Sequence, residues 1–116
     1  MHVLFIVLNE VEYLDEILTK FVEIGISGAT ILDSHGMACE LCKYDQKIPI
    51  IGSLRSFLDS SRPYNKTIFT VVEREELADK AMEAVNEIVH DVSKPGHGLM
   101  FTVPVGKIWG VPKKIE

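Results

Sequence analysis

The run Lys94-Pro95-Gly96-His97-Gly98 carries the clearest chemical potential in this chain. Glycine has no Cβ, so backbone N–H groups beside it can approach an anion closely, and the ammonium of Lys94 adds charge. The same stretch also reads as a plain loop between a helix and a strand. A second cluster, His35, Cys39 and Cys42, has the form H-x3-C-x2-C. Imidazole with two soft thiolates suits zinc or copper(I), with a fourth ligand from His97, His2 or a second subunit. The two thiols could instead form a redox pair that reshapes the loop, or be inert; a single C-x-x-C lacks the second pair that marks a zinc site. Trp109, between Gly106 and Gly110, reads as a packing anchor for the C-terminal segment at a subunit contact, rather than as a platform for a flat ligand. No G-x-S-x-G, Walker loop or H-E-x-x-H is present, and the histidines at 2, 35, 90 and 97 show no spacing that pairs a nucleophile with a base. The chain therefore reads as a binding protein and not an enzyme.

Composition narrows the class. A length of 116 residues with 47% apolar and 25% charged residues suits one globular domain, 1–116, with a hydrophobic core of its own. The net charge of −5, with only a thin basic tail at Lys107, Lys113 and Lys114, argues against nucleic acid, which calls for a basic face. The apolar start, His2 to Leu8, lacks the basic flank and small-residue cleavage site of a signal peptide, and no apolar run approaches membrane-spanning length. Two cysteines without an export signal place the chain in a reducing compartment, the cytoplasm, where a structural disulfide is not expected.

Periodicity then supplies the elements that must position these residues. Val3 to Leu8 is a strand. Asn9 is a good N-cap with Glu12 three residues on, and Val11, Leu14, Leu18 and Phe21, with Ile17 and Ile24, form the stripe of a helix that ends at Gly25. A strand from about Ala29 to Asp33 follows. A long connector, about 34–65, carries a short amphipathic turn capped by Ser53 with Leu54, Phe57 and Leu58 on one face. Its length and its Gly and Pro content predict mobility over about His35 to Asp59. Thr67 to Val72 is a third strand, Glu75 to His90 a second helix, and Leu99 to Val105 a fourth strand. The order β-α-β, connector, β-α-β predicts an α+β ferredoxin-like sandwich: βαββαβ, an antiparallel sheet with two helices on one face.

The strands add a prediction about assembly. A sheet covered on one face alternates apolar and polar residues. Val3, Leu4, Phe5, Ile6, Val7 and Leu8 do not alternate, and Leu99, Met100, Phe101, Val103 and Val105 scarcely do. The second face must also be dry. No further helix is available to cover it, so the chain is expected to be a homo-oligomer packed sheet face to sheet face.

The segment Gly96-His97-Gly98-Leu99-Met100-Phe101-Thr102-Val103-Pro104-Val105 resembles the loop and last strand of PII-type nitrogen signal proteins, where the pattern is roughly Gly-Asp-Gly-Lys-Ile-Phe and then Pro-Val. Ile24-Gly25-Ile26-Ser27-Gly28-Ala29-Thr30 resembles their first helix exit, and the connector falls where that family carries its signalling loop. The resemblance spans Met1 to about Val105. It implies a homotrimer with its sheets facing the threefold axis, effector sites in the clefts between subunits, and a loop, 35–59 here, that touches a transporter or enzyme partner in nitrogen regulation. It implies Ser93, Lys94, Gly96, His97 and Gly98 as ligand-binding residues and an adenine nucleotide as effector, with Lys107 as a substitute cation from the neighbouring segment. Tyr44 stands as the counterpart of the family's modified loop tyrosine, although an ordinary exposed tyrosine is the simpler reading. The chain departs from the pattern at Leu99, where the family has a phosphate-contacting base, at His97, at Val92 and Ser93, near Cys39, and at Gly110 and Pro112, where it has arginines. A second function on the same fold is a metal-binding trimer of the CutA type using His35, Cys39 and Cys42, with a divalent metal in place of the nucleotide.

Overall fold

Strict alternation governs the first strand once it is paired. In β1 (His2–Leu8), Leu4, Ile6 and Leu8 are at most 1% exposed, while Val3, Phe5 and Val7 point to the other side and are half-buried. The computed structural model describes residues 1–42 and 64–110. Within them lie β1, a single 3₁₀ turn (Val11–Tyr13), α1 (Leu14–Ile24), β2 (Thr30–Ser34), α2 (Met37–Cys42), β3 (Asn65–Val72), α3 (Glu75–Ile88) and β4 (Gly98–Pro104). The sheet order is β2-β3-β1-β4 and every pairing is antiparallel. β1 and β2 run the same way with β3 between them, which is the split βαβ of the ferredoxin-like sandwich predicted from the sequence.

α1 and α3 lie on one face. Ile17 and Phe21 of α1 and Ala78, Ala81 and Val85 of α3 are buried with Leu4, Ile6, Leu8, Ile68 and Val72 of the sheet in one core. Thr70 is a buried polar residue on the helix side of β3, and its hydroxyl donates to the Gly28 carbonyl oxygen at 2.6 Å. A paired hydroxyl is tolerated in such a core, since only an unpaired one carries the full desolvation penalty.

The helix ends differ in how far the sequence anticipates them. Gly25 at φ +102 closes α1: its N–H donates to the Val22 carbonyl oxygen and the Ile26 N–H to that of Phe21, with Ile26 buried. That pair of bonds is a Schellman motif. The start of α1 differs from expectation. Asn9 is not its N-cap; the helix begins at Leu14 after the 3₁₀ turn, and Val11 is 39% exposed and outside the stripe. The Asn9 side-chain oxygen accepts from Asn65 Nδ2 at 3.3 Å, a tertiary partner in place of a capping bond. α3 stops at Ile88, not His90, because His90 (φ 59) and Asp91 (φ 80) are both left-handed. The Asp91 N–H donates to the Asn86 carbonyl and the Val92 N–H to Asn86 Oδ1, each at 2.8 Å, which terminates the helix without a glycine.

Two further boundaries move. β2 and β3 extend to Ser34 and back to Asn65, residues that pair with one another, and the connector opens with the six-residue helix α2. The predicted turn over 53–58, Tyr44, and Lys113 and Lys114 lie outside the described residues, as does most of the span predicted to be mobile.

The face of the sheet away from the helices is a lattice of apolar side chains. Phe5 stands opposite Phe69 and Phe101, Val3 opposite Val71 and Val103, and Val7 opposite Thr67 and Leu99. The Phe5 and Phe101 rings stack with centroids 5.1 Å apart, and Phe5 and Phe69 tilt at 5.8 Å. Leu99, Phe101 and Val103 keep 41–55% of their surface exposed, and Leu32 on β2 keeps 49%.

Candidate functional site

One end of the sheet gathers the chemistry. The register places Leu8 opposite both Gly98 and Lys66, and Ser34 opposite Asn65. The last residues of β1 and β2 and the first of β3 and β4 therefore share this end. The glycine loop enters here, and the connector leaves at Ser34 and returns at Asn65.

Ser93, Lys94, Gly96, His97 and Gly98 are contiguous on this loop, as the sequence required. It is a chain of tight turns: the Lys94 N–H donates to the Asp91 carbonyl and the His97 N–H to the Lys94 carbonyl, both at 3.2 Å. Gly96 has φ +82 and Gly98 φ +147. Gly98 meets β1 so closely that a Cβ there would lie 2.3 Å from the Val7 carbonyl oxygen. No other residue type fits this backbone approach.

His97 is built into the loop. Its Nδ1 lies 2.9 Å from the Val89 carbonyl oxygen and 3.0 Å from Glu10 Oε1. Both neighbours are acceptors, so Nδ1 carries the hydrogen, and it donates to Val89. Glu10 Oε1 is buried beside the ring and takes no hydrogen bond of its own. The ring thereby joins the end of α3 to the chain just ahead of the 3₁₀ turn.

Ser93 is likewise engaged. Its hydroxyl and its N–H both donate to Asp91 Oδ1, at 2.6 and 3.0 Å. The hydroxyl bond first, and the backbone bond second, hold the Asp91 carboxyl below the usual carboxylate range. A depressed folded value means that the ionised form is favoured by folding. The contribution is present above the unfolded value and is lost as pH falls through the folded one. An NMR titration should find the Asp91 midpoint below that of an unstructured aspartate, and Ser93→Ala should raise it; an unchanged midpoint in the variant would exclude the hydroxyl as the main cause.

Lys107 is not brought to the other loop residues within one chain. It follows β4, whose seven residues span about 20 Å at roughly 3.3 Å each. The Val105 N–H donates to the Met1 carbonyl, fixing that segment at the far end of β1. Trp109 lies beyond it, 96% exposed in the single chain.

The His35 cluster is only partly assembled. His35 Nε2 is 2.9 Å from Glu40 Oε2 across the start of α2, and Cys39 is a free, half-buried thiol. The side chain of Cys42 is outside the described set. Among the described residues no group of three His, Cys, Asp or Glu side chains converges as a metal site would require.

Polar side chains that no sequence motif marks also gather at this end of the sheet. Ser34 Oγ bonds Asn65 Oδ1 and lies 2.8 Å from Thr67 Oγ1, while Asn65 Nδ2 reaches Asn9. Asn65 is 8% exposed. The only sequence signal was small polar residues at strand ends beside the connector, a pattern equally typical of any loop. Lys66 and Asp33 form an ion pair next to this cluster. No helix among the described residues is long and apolar enough to cross a membrane.

No protein-family profile and no curated protein matches this chain by sequence. Solved structures do. The Arabidopsis thaliana PII protein, in a crystal structure with citrate bound, superposes with a TM-score of 0.59 at 15% identity, covering 90% of this chain and 76% of that one. The chain therefore has a PII-like fold.

Proposed function

We propose that this protein is a PII-like regulator: a homotrimer that binds a small anionic effector beside the Gly96–Gly98 loop and contacts a partner protein through its connector. The observation that carries this reading is the convergence of the glycine loop and both roots of the connector on one end of a PII-like sheet. An effector there would touch the elements from which the connector leaves. Ordering of a segment by a ligand is an established switching mechanism. The structural neighbour carries citrate, an anion, which is in keeping with the class of ligand. No nucleophile and base are paired in the described site, so binding without turnover is the simpler reading.

The assembly follows from the open sheet face, where the Phe69–Phe5–Phe101 row and its flanking valines form an apolar surface of the kind monomers rarely expose. Trimerisation would also let Lys107 and Trp109 of one subunit act at another's site, since neither reaches the glycine loop of its own chain. The reading places the protein in the cytoplasm, with a transporter or enzyme as the partner.

Electrostatics argue for weak nucleotide binding. The loop follows the C-terminal end of α3, whose carbonyls repel an anion. Lys94 is its main cation, Leu99 offers none, and the N–H groups of Lys94 and His97 are engaged within the loop. A triphosphate needs several paired donors. Calorimetric titration should therefore give weak ATP binding, with ADP, AMP or a simple carboxylate or phosphate preferred. Magnesium-dependent ATP binding near ~1 μM, about −8 kcal/mol, would restore an ordinary PII nucleotide site. Tight zinc binding lost in His35→Ala and Cys39→Ala would favour the CutA-type reading instead.

A further inference from the structure

The part-buried polar side chains at the glycine-loop end of the sheet form one continuous hydrogen-bond chain. Ser34 has a single hydroxyl hydrogen and gives it to Asn65 Oδ1, so the 2.8 Å contact with Thr67 is donated by the threonine. Asn65 uses its other end, Nδ2, to donate to Asn9 Oδ1 at 3.3 Å. Asn9 in turn donates its backbone N–H to the His97 carbonyl oxygen at 3.4 Å. His97 is held from its far side by Val89 and faces Glu10. The path therefore runs from Thr67 and Ser34, across Asn65 and Asn9, into the middle of the glycine loop.

We propose that Asn9 is a coupling residue: its side chain, through Asn65, ties the Ser34–Asn65 root pair to the Gly96–Gly98 loop, so that a disturbance at one is felt at the other. The assignment deepens the effector reading above and rests on it for its biological meaning, though the coupling itself is a property of the unliganded chain. Its geometry makes Asn9 a clean point of intervention. The backbone bond to His97 survives any side-chain replacement, whereas the link to Asn65 depends on one carboxamide oxygen. Both Asn9 bonds are long for N–H···O, so the expected coupling is modest.

A proposed coupling path needs an interaction energy and not mere proximity. The test is a double-mutant cycle read by amide exchange on the full chain without ligand. Ser34→Ala touches nothing in the glycine loop, yet it should raise exchange at the amides of Lys94, Gly96, His97 and Gly98 roughly threefold. In an Asn9→Ala background the same substitution should add nothing further there. Asn9→Asp, which keeps the acceptor for Asn65 Nδ2, should preserve the wild-type response. Thr67→Val provides a second perturbation if Ser34→Ala fails to fold, and unchanged protection at Leu4 and Ile6 certifies the core. A null effect of Ser34→Ala at these amides, or an equal effect in both backgrounds, overturns the proposal. Phosphate titration of the same proteins separates the two ideas: failure to bind would remove the effector reading and leave the measured coupling standing.

Discussion

Replacing Phe101 by glutamate is expected to yield a monomer in place of the proposed trimer. Phe101 stacks on Phe5 in the middle of the open sheet face, and 41% of its surface is exposed in the single chain. In a face-to-face assembly each subunit would bring one carboxylate into an apolar, water-poor interface beside its symmetry mates. An unpaired buried charge of this kind costs several kcal/mol, about enough to remove a micromolar association. The fold itself should survive, because the helix-side core of Leu4, Ile6, Ile17, Phe21 and Val85 is on the other face of the sheet. Light scattering should report a trimer mass for the wild type and a monomer mass for Phe101→Glu. Val22→Glu is the matched control: Val22 is 56% exposed on α1, in the opposite layer, and its replacement should leave the mass unchanged. A wild-type chain that is monomeric at micromolar concentration, or a Phe101→Glu variant that stays trimeric, would remove the sheet face from the interface.

The second large effect concerns Gly98 and acts on folding. A methyl group there would sit 2.3 Å from the Val7 carbonyl oxygen, at φ +147. The neighbour is backbone in the middle layer of the sheet, so relief requires β4 to move away from β1 at the Leu8–Gly98 pair. Overpacking and backbone strain together should cost Gly98→Ala about 2–5 kcal/mol. Gly96 provides the contrast. It also has positive φ, at +82, but a Cβ there meets nothing within 4 Å. Gly96→Ala should therefore cost only about 1–2 kcal/mol. Urea midpoints of the two variants would measure the difference. Equal losses would mean that the close approach of the loop to β1 is not maintained in solution. Because the loop is the candidate effector site, Gly98→Ala should also weaken anion binding even at temperatures where the protein remains folded.

The architecture was legible in local patterns of the chain. The apolar stripes over Leu14–Ile24 and Glu75–Ile88, Gly25 as a left-handed stop, and apolar runs with extended propensity are local signals, and local backbone preferences respond to them directly. The unbroken apolar run Val3 to Leu8 supplies both faces of the paired β1, one in the core and the other in the open Phe69–Phe5–Phe101 row. Tertiary structure decided the rest, because it depends on which residues distant in sequence become neighbours. Asn9 has all the local credentials of an N-cap, but the return of β3 places Asn65 within its reach, and the tertiary bond replaced the capping role. His97 looked like a free ligand for an anion, and the end of α3 and Glu10 occupy its Nδ1 side instead. Lys107 was expected at the ligand site with the glycine loop, yet a seven-residue strand separates them in one chain, because an extended backbone turns a short sequence interval into a long distance.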